Sequence, residues 1–185
     1  GELVTHKAED MRAQHETVQR AARGHIQLAR RPMAIVTDSA CDLSEEHVRA
    51  HGIHVTPLVL VDGDKMYRDG IDITADEFHS MLAEQEALPT TSQPAPADFI
   101  DSYARAAEEG ESILGVLASS TLSGTFASGE AAAWRFDSTR VHLVDSKGAS
   151  LLEGLMVLKA CELAELAWEP EDIVEELDRV RRQSG

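Results

Sequence analysis

Aromatic residues make up only 4% of this 185-residue chain, and cysteine occurs twice, at Cys41 and Cys161. Two solitary thiols, with the spacing of neither a zinc site nor a redox pair, exclude a disulfide framework and fit free thiols in a reducing compartment. Basic residues are scarce as well: 17 lysines and arginines stand against 33 acidic residues, a net charge of −16. A chain so charged repels phosphate backbones and anionic membranes at long range, so no nucleic acid partner is expected. No apolar run reaches the roughly 18 residues of a membrane span, and the N-terminus lacks the basic-then-apolar order of a signal peptide. The expectation is no stable membrane insertion and a cytoplasmic location. The histidines form no HExxH arrangement, and the one HxxxH pair, His47 and His51, has no glutamate after its first histidine, so neither metal nor cofactor is expected. A Walker lysine, a GxGxxG loop and a GxSxG elbow are missing too, which leaves nucleotide binding and serine hydrolysis without support.

What is present from Met33 onward is an alternation of short apolar runs with amphipathic segments of helical period. "MAIVTDS" reads as a strand, "SEEHVRAHG" as a helix capped by Ser44 and ended by Gly52, and "HVTPLVLVD" as a second strand that Pro57 marks as an edge or an irregularity. "VDGDKMYRDG" reads as a hairpin turning at Asp62-Gly63, and "TADEFHSMLAEQ" as a helix with a Thr74–Glu77 capping box. There follow the helix "APADFIDSYARAAEEG", the buried strand "SILGVLAS", the helix "SGTFASGEAAAWRF", the strand "VHLVDS", the largely buried helix "ASLLEGLMVLKACELAELA" and a last helix opening at Pro170. The expected fold class is α/β, a mainly parallel sheet with helices on both faces. Helix formers from Met11 to Leu28 suggest a linker helix ahead of it. The expected divisions are residues 1–32, 33–168 and 169–185.

Ligands of such sheets sit beyond the carboxyl ends of the strands, where polar loops fall at Thr37–Asp42, Ser119–Thr125 and Asp145–Gly148. In "SSTLSGTF", Ser123 as N-cap would expose the amides of Gly124, Thr125 and Phe126 to an anion, or would serve merely as a cap. In "TTSQPAP", Pro94 and Pro96 stiffen a short loop bearing Thr90, Thr91, Ser92 and Gln93. Hydroxyls with helix amides bind a carboxylate without a lysine or arginine. "VTDSACD" evokes the phosphotransfer signature, but Ala40 stands where its second aspartate belongs, so Asp38 reads as an N–H acceptor of the loop.

The stretches "AIVTDSACDL", "YRDGIDIT", "PTTSQPAPADF", "SSTLSGTFASG" and "VHLVDSKGAS", in this order and at these intervals, resemble the DegV family of bacterial fatty-acid-binding proteins, which includes the carrier subunit of fatty acid kinase. The resemblance implies a first domain of that type, with a long-chain fatty acid as ligand, its carboxylate in the polar loops and its tail in an apolar tunnel. It implies that Thr91 and Ser123 bond the carboxylate with help from the Gly124 amide, that Ser92 and Thr125 rank behind them, and that Asp38 and Ser39 form a nearby wall. Two departures stand out: Ala95, where a serine or other small capping residue is usual, and Cys41, where alanine is common. The family's second domain, which supplies the rest of the tunnel and a histidine, is expected beyond Gly185, leaving this stretch half a pocket.

The opening residues resemble the end of a fatty acid kinase middle domain, which implies a kinase–carrier fusion with residues 1–32 as a linker that raises effective concentration. The expectation is therefore a lipid-binding module, not an enzyme, that presents the fatty acid to a kinase domain or subunit for conversion to an acyl phosphate used in phospholipid synthesis. Arg68 or Lys65 would offer a docking charge, or simply decorate a hairpin. The alternatives are a phosphotransferase or hydrolase acting through Asp38 or Ser123, and an interaction domain that pairs with another copy.

Overall fold

The computed structural model describes residues 31–84 and 88–183. The linker helix expected over Met11–Leu28 and the kinase-like opening segment lie outside these residues. Strand β1 (Arg31–Asp38) is followed by a single 3-10 turn (Ser39–Cys41) and helix α1 (Glu45–His51). Ser44 caps α1 by accepting the His47 N–H at 3.4 Å, and Gly52, at φ +62°, ends it. After β2 (His54–Thr56) come the hairpin β3 (Val59–Asp62) and β4 (Lys65–Arg68), then α2 (Ala75–Glu84) and β5 (Thr90–Ser92). The remainder is α3 (Pro96–Glu109), β6 (Gly110–Leu117), α4 (Thr125–Ala133), β7 (Val141–Asp145), α5 (Leu151–Glu165) and α6 (Pro170–Gln183). The α2 box forms as expected: the Glu77 carboxylate accepts the Thr74 N–H at 2.8 Å, and the Thr74 hydroxyl accepts that of Glu77 at 3.3 Å. At α3, Ala95 has no side-chain acceptor to offer, and only the reciprocal half survives, with Asp98 accepting the Ala95 N–H at 2.8 Å.

The main sheet has the order β2-β1-β6-β7, all parallel, with Ile35 opposite Leu114 and Leu114 opposite His142. Strand alternation divides the core in two. Met33, Ile35, Leu114 and Val116 face α5 and α6 through Met156, Val157, Ala160, Ile173 and Leu177. Ala34, Val36, Ile113 and Leu117 face α3 and α4 through Phe99, Tyr103, Ala106 and Ala132. Both faces are thus covered by helices, and α6 is an integral layer of this unit. Phe99 and Tyr103 are wholly buried, and each side chain contributes about 2–3 kcal/mol of hydrophobic stabilisation. Gly129 lets α4 close onto them: a Cβ there would stand 2.4 Å from Leu117 and 3.1 Å from the Tyr103 hydroxyl, which donates to the Gly129 carbonyl.

Two expectations need correction. "HVTPLVLVD" is not one strand, because Pro57 cannot donate to a ladder and the chain leaves the parallel sheet there for a second, antiparallel sheet of order β4-β3-β5. Thr90 to Ser92 is likewise not a loop: it is β5, with Thr91 opposite Leu60 and Ser92 opposite Val59. The hairpin turn falls at Gly63-Asp64, one residue later than expected, because Asp62 pairs with Lys65.

Candidate functional site

The chain runs from β1 through α1 to β2 on one side, whereas the other neighbour of β1 is β6. The carboxyl ends of β1 and β6 therefore flank the point at which connections diverge, the usual crevice for a ligand in an open parallel sheet. Asp38 closes that crevice from below. It is fully buried, with Oδ1 accepting the Ala40 N–H at 3.1 Å and Oδ2 accepting the Ala118 N–H at 2.9 Å. Asp38 is thus not part of a pocket wall; it sits behind the loops as a staple, and both oxygens are engaged. Further bonds tie the neighbouring loops together: Ser119 N–H to the Gly148 carbonyl at 2.8 Å, Ser146 N–H to Leu117 at 3.0 Å, and Ser150 N–H to Ala40 at 2.7 Å. Asp42, Lys147 and Ser150, all flanking the crevice, adopt positive φ of 52°, 53° and 54°, a conformation that non-glycine residues hold only where surrounding bonds enforce it.

The Ala118–Thr125 loop contains two hydroxyl pairs of the same pattern. Ser119 and Thr121 lie 2.7 Å apart, Ser123 and Thr125 lie 2.8 Å apart, and in each pair the serine oxygen also accepts the N–H two residues on, at 3.2 Å. Ser123 is consequently not the N-cap of α4. Gly124 occupies that position, and Ser123 stands one residue further out. Thr125 is buried, while Ser123 and Gly124 are half-buried. The second hydroxyl segment meets the first here: the Gln93 side-chain amide lies where a Cβ on Gly124 would stand, 2.4 Å from its Oε1 and 2.6 Å from its Nε2. Thr91 and Ser92, exposed on β5, are carried beside the crevice by this contact and by β3, whose preceding residue Leu58 donates its N–H to Ser39 Oγ at 3.0 Å.

Electrostatics around the crevice are dominated by acids. Burial pushes Asp38 above its ordinary value, against the pull of its two amides. Asp145 is partly buried, yet bonds from Lys147 and Ser120 hold it below the usual carboxylate range; the Lys147 ammonium lies 2.5 Å from Asp145 and 2.9 Å from the Ser120 hydroxyl. Burial pushes the Cys41 and Cys161 thiols up to about 11 and about 12, which leaves both unreactive at neutral pH. Arg68 is not a free docking charge: Asp72 grips its guanidinium with two bonds of 2.9 Å. Among the described residues, no three His, Cys, Asp or Glu side chains converge where a cation could sit.

Next to the crevice, between the 3-10 turn, α1 and the Asp69–Ala75 segment, lies a cavity of about 630 Å³ walled largely by apolar groups, among them Leu43, Val48, Val55, Pro57 and Ile71. Ser39 is the one member of the expected ligand set that lines it.

Comparison with known proteins decides the family. The model of the DegV family, described as uncharacterised, matches residues 32–185. The chain belongs to the DegV family. A DegV domain-containing protein of Deinococcus radiodurans is 39% identical over 152 residues, covering 82% of this chain and 54% of that protein. Two solved structures are similar: a fatty-acid-binding DegV family protein from Thermus thermophilus (42% identity, TM-score 0.74) and DegV, a fatty acid binding protein, from Bacillus subtilis (32% identity, TM-score 0.75). Each comparison covers 82% of this chain and 54% of the other. The chain thus spans about half the length of these relatives. No helix among its described residues is long and apolar enough to cross a membrane.

Two residues of this DegV domain escape a reading of the motifs. Gln93 sits within the hydroxyl run, but its packing on Gly124 depends on the pairing of β5 with β3. Glu153 is wholly buried and accepts a bond from the Thr37 hydroxyl at 3.1 Å. Its signal was an acid on the apolar stripe of α5, three, four and seven residues before Met156, Val157 and Ala160.

Proposed function

We propose that this DegV domain binds a long-chain fatty acid, with the carboxylate held between the two hydroxyl segments and the acyl tail in the neighbouring apolar cavity. The observation that supports this reading is the seating of the Gln93 amide against Gly124, a contact between the segment that carries Thr91 and Ser92 and the one that carries Ser123 and Thr125. Fatty-acid binding by the Thermus and Bacillus relatives supports the same reading. Hydroxyls and backbone N–H groups supply neutral donors, which orient a carboxylate without trapping it in an ion pair. The tail supplies most of the affinity, at about 0.8 kcal/mol per buried methylene.

The domain acts as a carrier, presenting the head group to a fatty acid kinase for acyl-phosphate formation. The engagement of both Asp38 oxygens by amides argues against Asp38 as a nucleophile, and Ser123 Oγ bonds the Thr125 hydroxyl and amide, not a histidine. The test is native mass spectrometry with lipid extraction on the purified chain. Fatty acid should co-purify and should be lost on Thr91→Ala plus Ser123→Ala. No co-purifying lipid and no binding of added oleate would overturn the reading.

A further inference from the structure

Behind the hydroxyl loops lies a carboxyl that no ligand contact uses. Glu153, the third residue of α5, is 0% exposed; its Oε1 accepts the Thr37 hydroxyl, its Oε2 accepts no hydrogen bond from the described residues, and the Asp38 carboxylate lies within hydrogen-bonding reach of its carboxyl. Asp38, next to Thr37 in β1, is equally buried and holds the Ala40 and Ala118 amides. The titratable groups facing this pair are Cys41 and Asp42 from the turn after β1, and Tyr103 of α3, which faces Asp38; none is a cation. Two buried carboxylates without a countercharge cannot both ionise. Two amides favour the charge on Asp38, and the proton stays on Glu153, which can donate it to the Asp38 carboxylate.

We propose that Glu153 is a positioning residue for carboxylate recognition. While neutral, it lets Asp38 hold the Ser39 turn and the Ala118–Ser123 loop at the spacing the head group requires; ionised, it drives them apart. The proposal rests on the fatty-acid reading for its ligand half only, since the coupling of Glu153 to the two loops stands without any ligand.

The test follows the backbone amide resonances of Ala40 and Ala118 in the ligand-free chain from pH 6 to 10, below the titration of Cys41, alongside oleate affinity. Burial and the Asp38 charge push Glu153 up to about 9, so both amides should titrate with a midpoint in that region, and wild-type affinity should fall at least ten-fold between pH 7 and 10. In Glu153→Gln, which stays neutral and keeps an acceptor for Thr37, the amides should not titrate and affinity should be the same at both pH values. Thr37→Val removes a bond that favours the ionised form and should move the midpoint upward, a shift that a merely structural role would not produce. Flat amide shifts in the wild type, or the same titration in Glu153→Gln, would overturn the proposal. Amide titration in a chain that binds no oleate would uphold the loop coupling while sinking the fatty-acid reading.

Discussion

Gly124→Ala tests how the two hydroxyl segments are held together. The new Cβ would lie 2.4 Å from Gln93 Oε1 and 2.6 Å from its Cδ and Nε2. Carbon and oxygen in contact need more than 3 Å, so the Gln93 amide must retreat by about 1 Å. It can do so, being the far end of an exposed side chain. The backbone of residue 124, at φ −76°, accepts any side chain. The stability cost is therefore confined to the poorer N-cap, about 0.5–1 kcal/mol, or a fall of roughly 1–4 °C in Tm for a chain of this size. Binding should suffer more. Displacing Gln93 loosens the contact between the segments that carry Thr91 and Ser123, the proposed head-group donors, and weakening one hydrogen bond to a charged head group costs about 1.5–3 kcal/mol, some ten- to hundred-fold in affinity. Calorimetric unfolding together with oleate titration separates the two effects. Adding Gln93→Ala to Gly124→Ala should then bring little further loss, as a double-mutant cycle would report. Wild-type affinity in Gly124→Ala would refute the coupling of the segments, and a collapse of Tm would show that the backbone, not Gln93, absorbs the clash.

Phe99→Ala should cost about 3–5 kcal/mol in urea unfolding, because the ring is wholly buried between α3 and the sheet. Stability should fall as pH rises from about 4.5 toward 9, because Glu153 is raised above its ordinary 4.5 to about 9 and the folded state then binds more protons than the unfolded one. The folding constant should drop by up to about ten-fold per pH unit for that group, and a flat profile in urea titrations across this window would contradict the assignment. The exposed acids held low, such as Asp72 against Arg68, act with the opposite sign and only below the ordinary carboxylate range.

The parallel layer was legible because its strands are short apolar runs and its helices carry punctuation that works locally: Ser44 and Gly52 around α1, Thr74 and Glu77 before α2, Pro170 at the head of α6. Local chemistry could not reveal where non-local pairing puts a segment. Thr90–Ser92 has the composition of a loop, and only β3 makes it a strand. Pro57 announced an irregularity but not a change of sheet. Likewise, Ser123 has the right residue type for an N-cap, yet its hydroxyl turns to Thr125, and Gly124 takes the position because Gln93 needs the space. The candidate residues were readable as hydroxyls before helices. The buried Asp38–Glu153 pair was not, because its meaning depends on the packing of α5 against the end of β1.

The change of sheet at Pro57 has a consequence for how ligand preference can vary. Thr91 lies in the antiparallel β3–β5 ladder and Ser123 in the loop that follows β6 of the parallel sheet, so no shared ladder fixes the distance between them. That distance is set by a few side-chain contacts, chiefly Gln93 on Gly124 and Ser39 on the Leu58 amide. A single substitution at one of these hinge points can widen or narrow the gap while leaving both cores untouched. The proposed head-group site is thus adjustable independently of the fold that carries it, and related chains could shift toward a bulkier anion, or a tighter grip on the same one, without repacking a sheet.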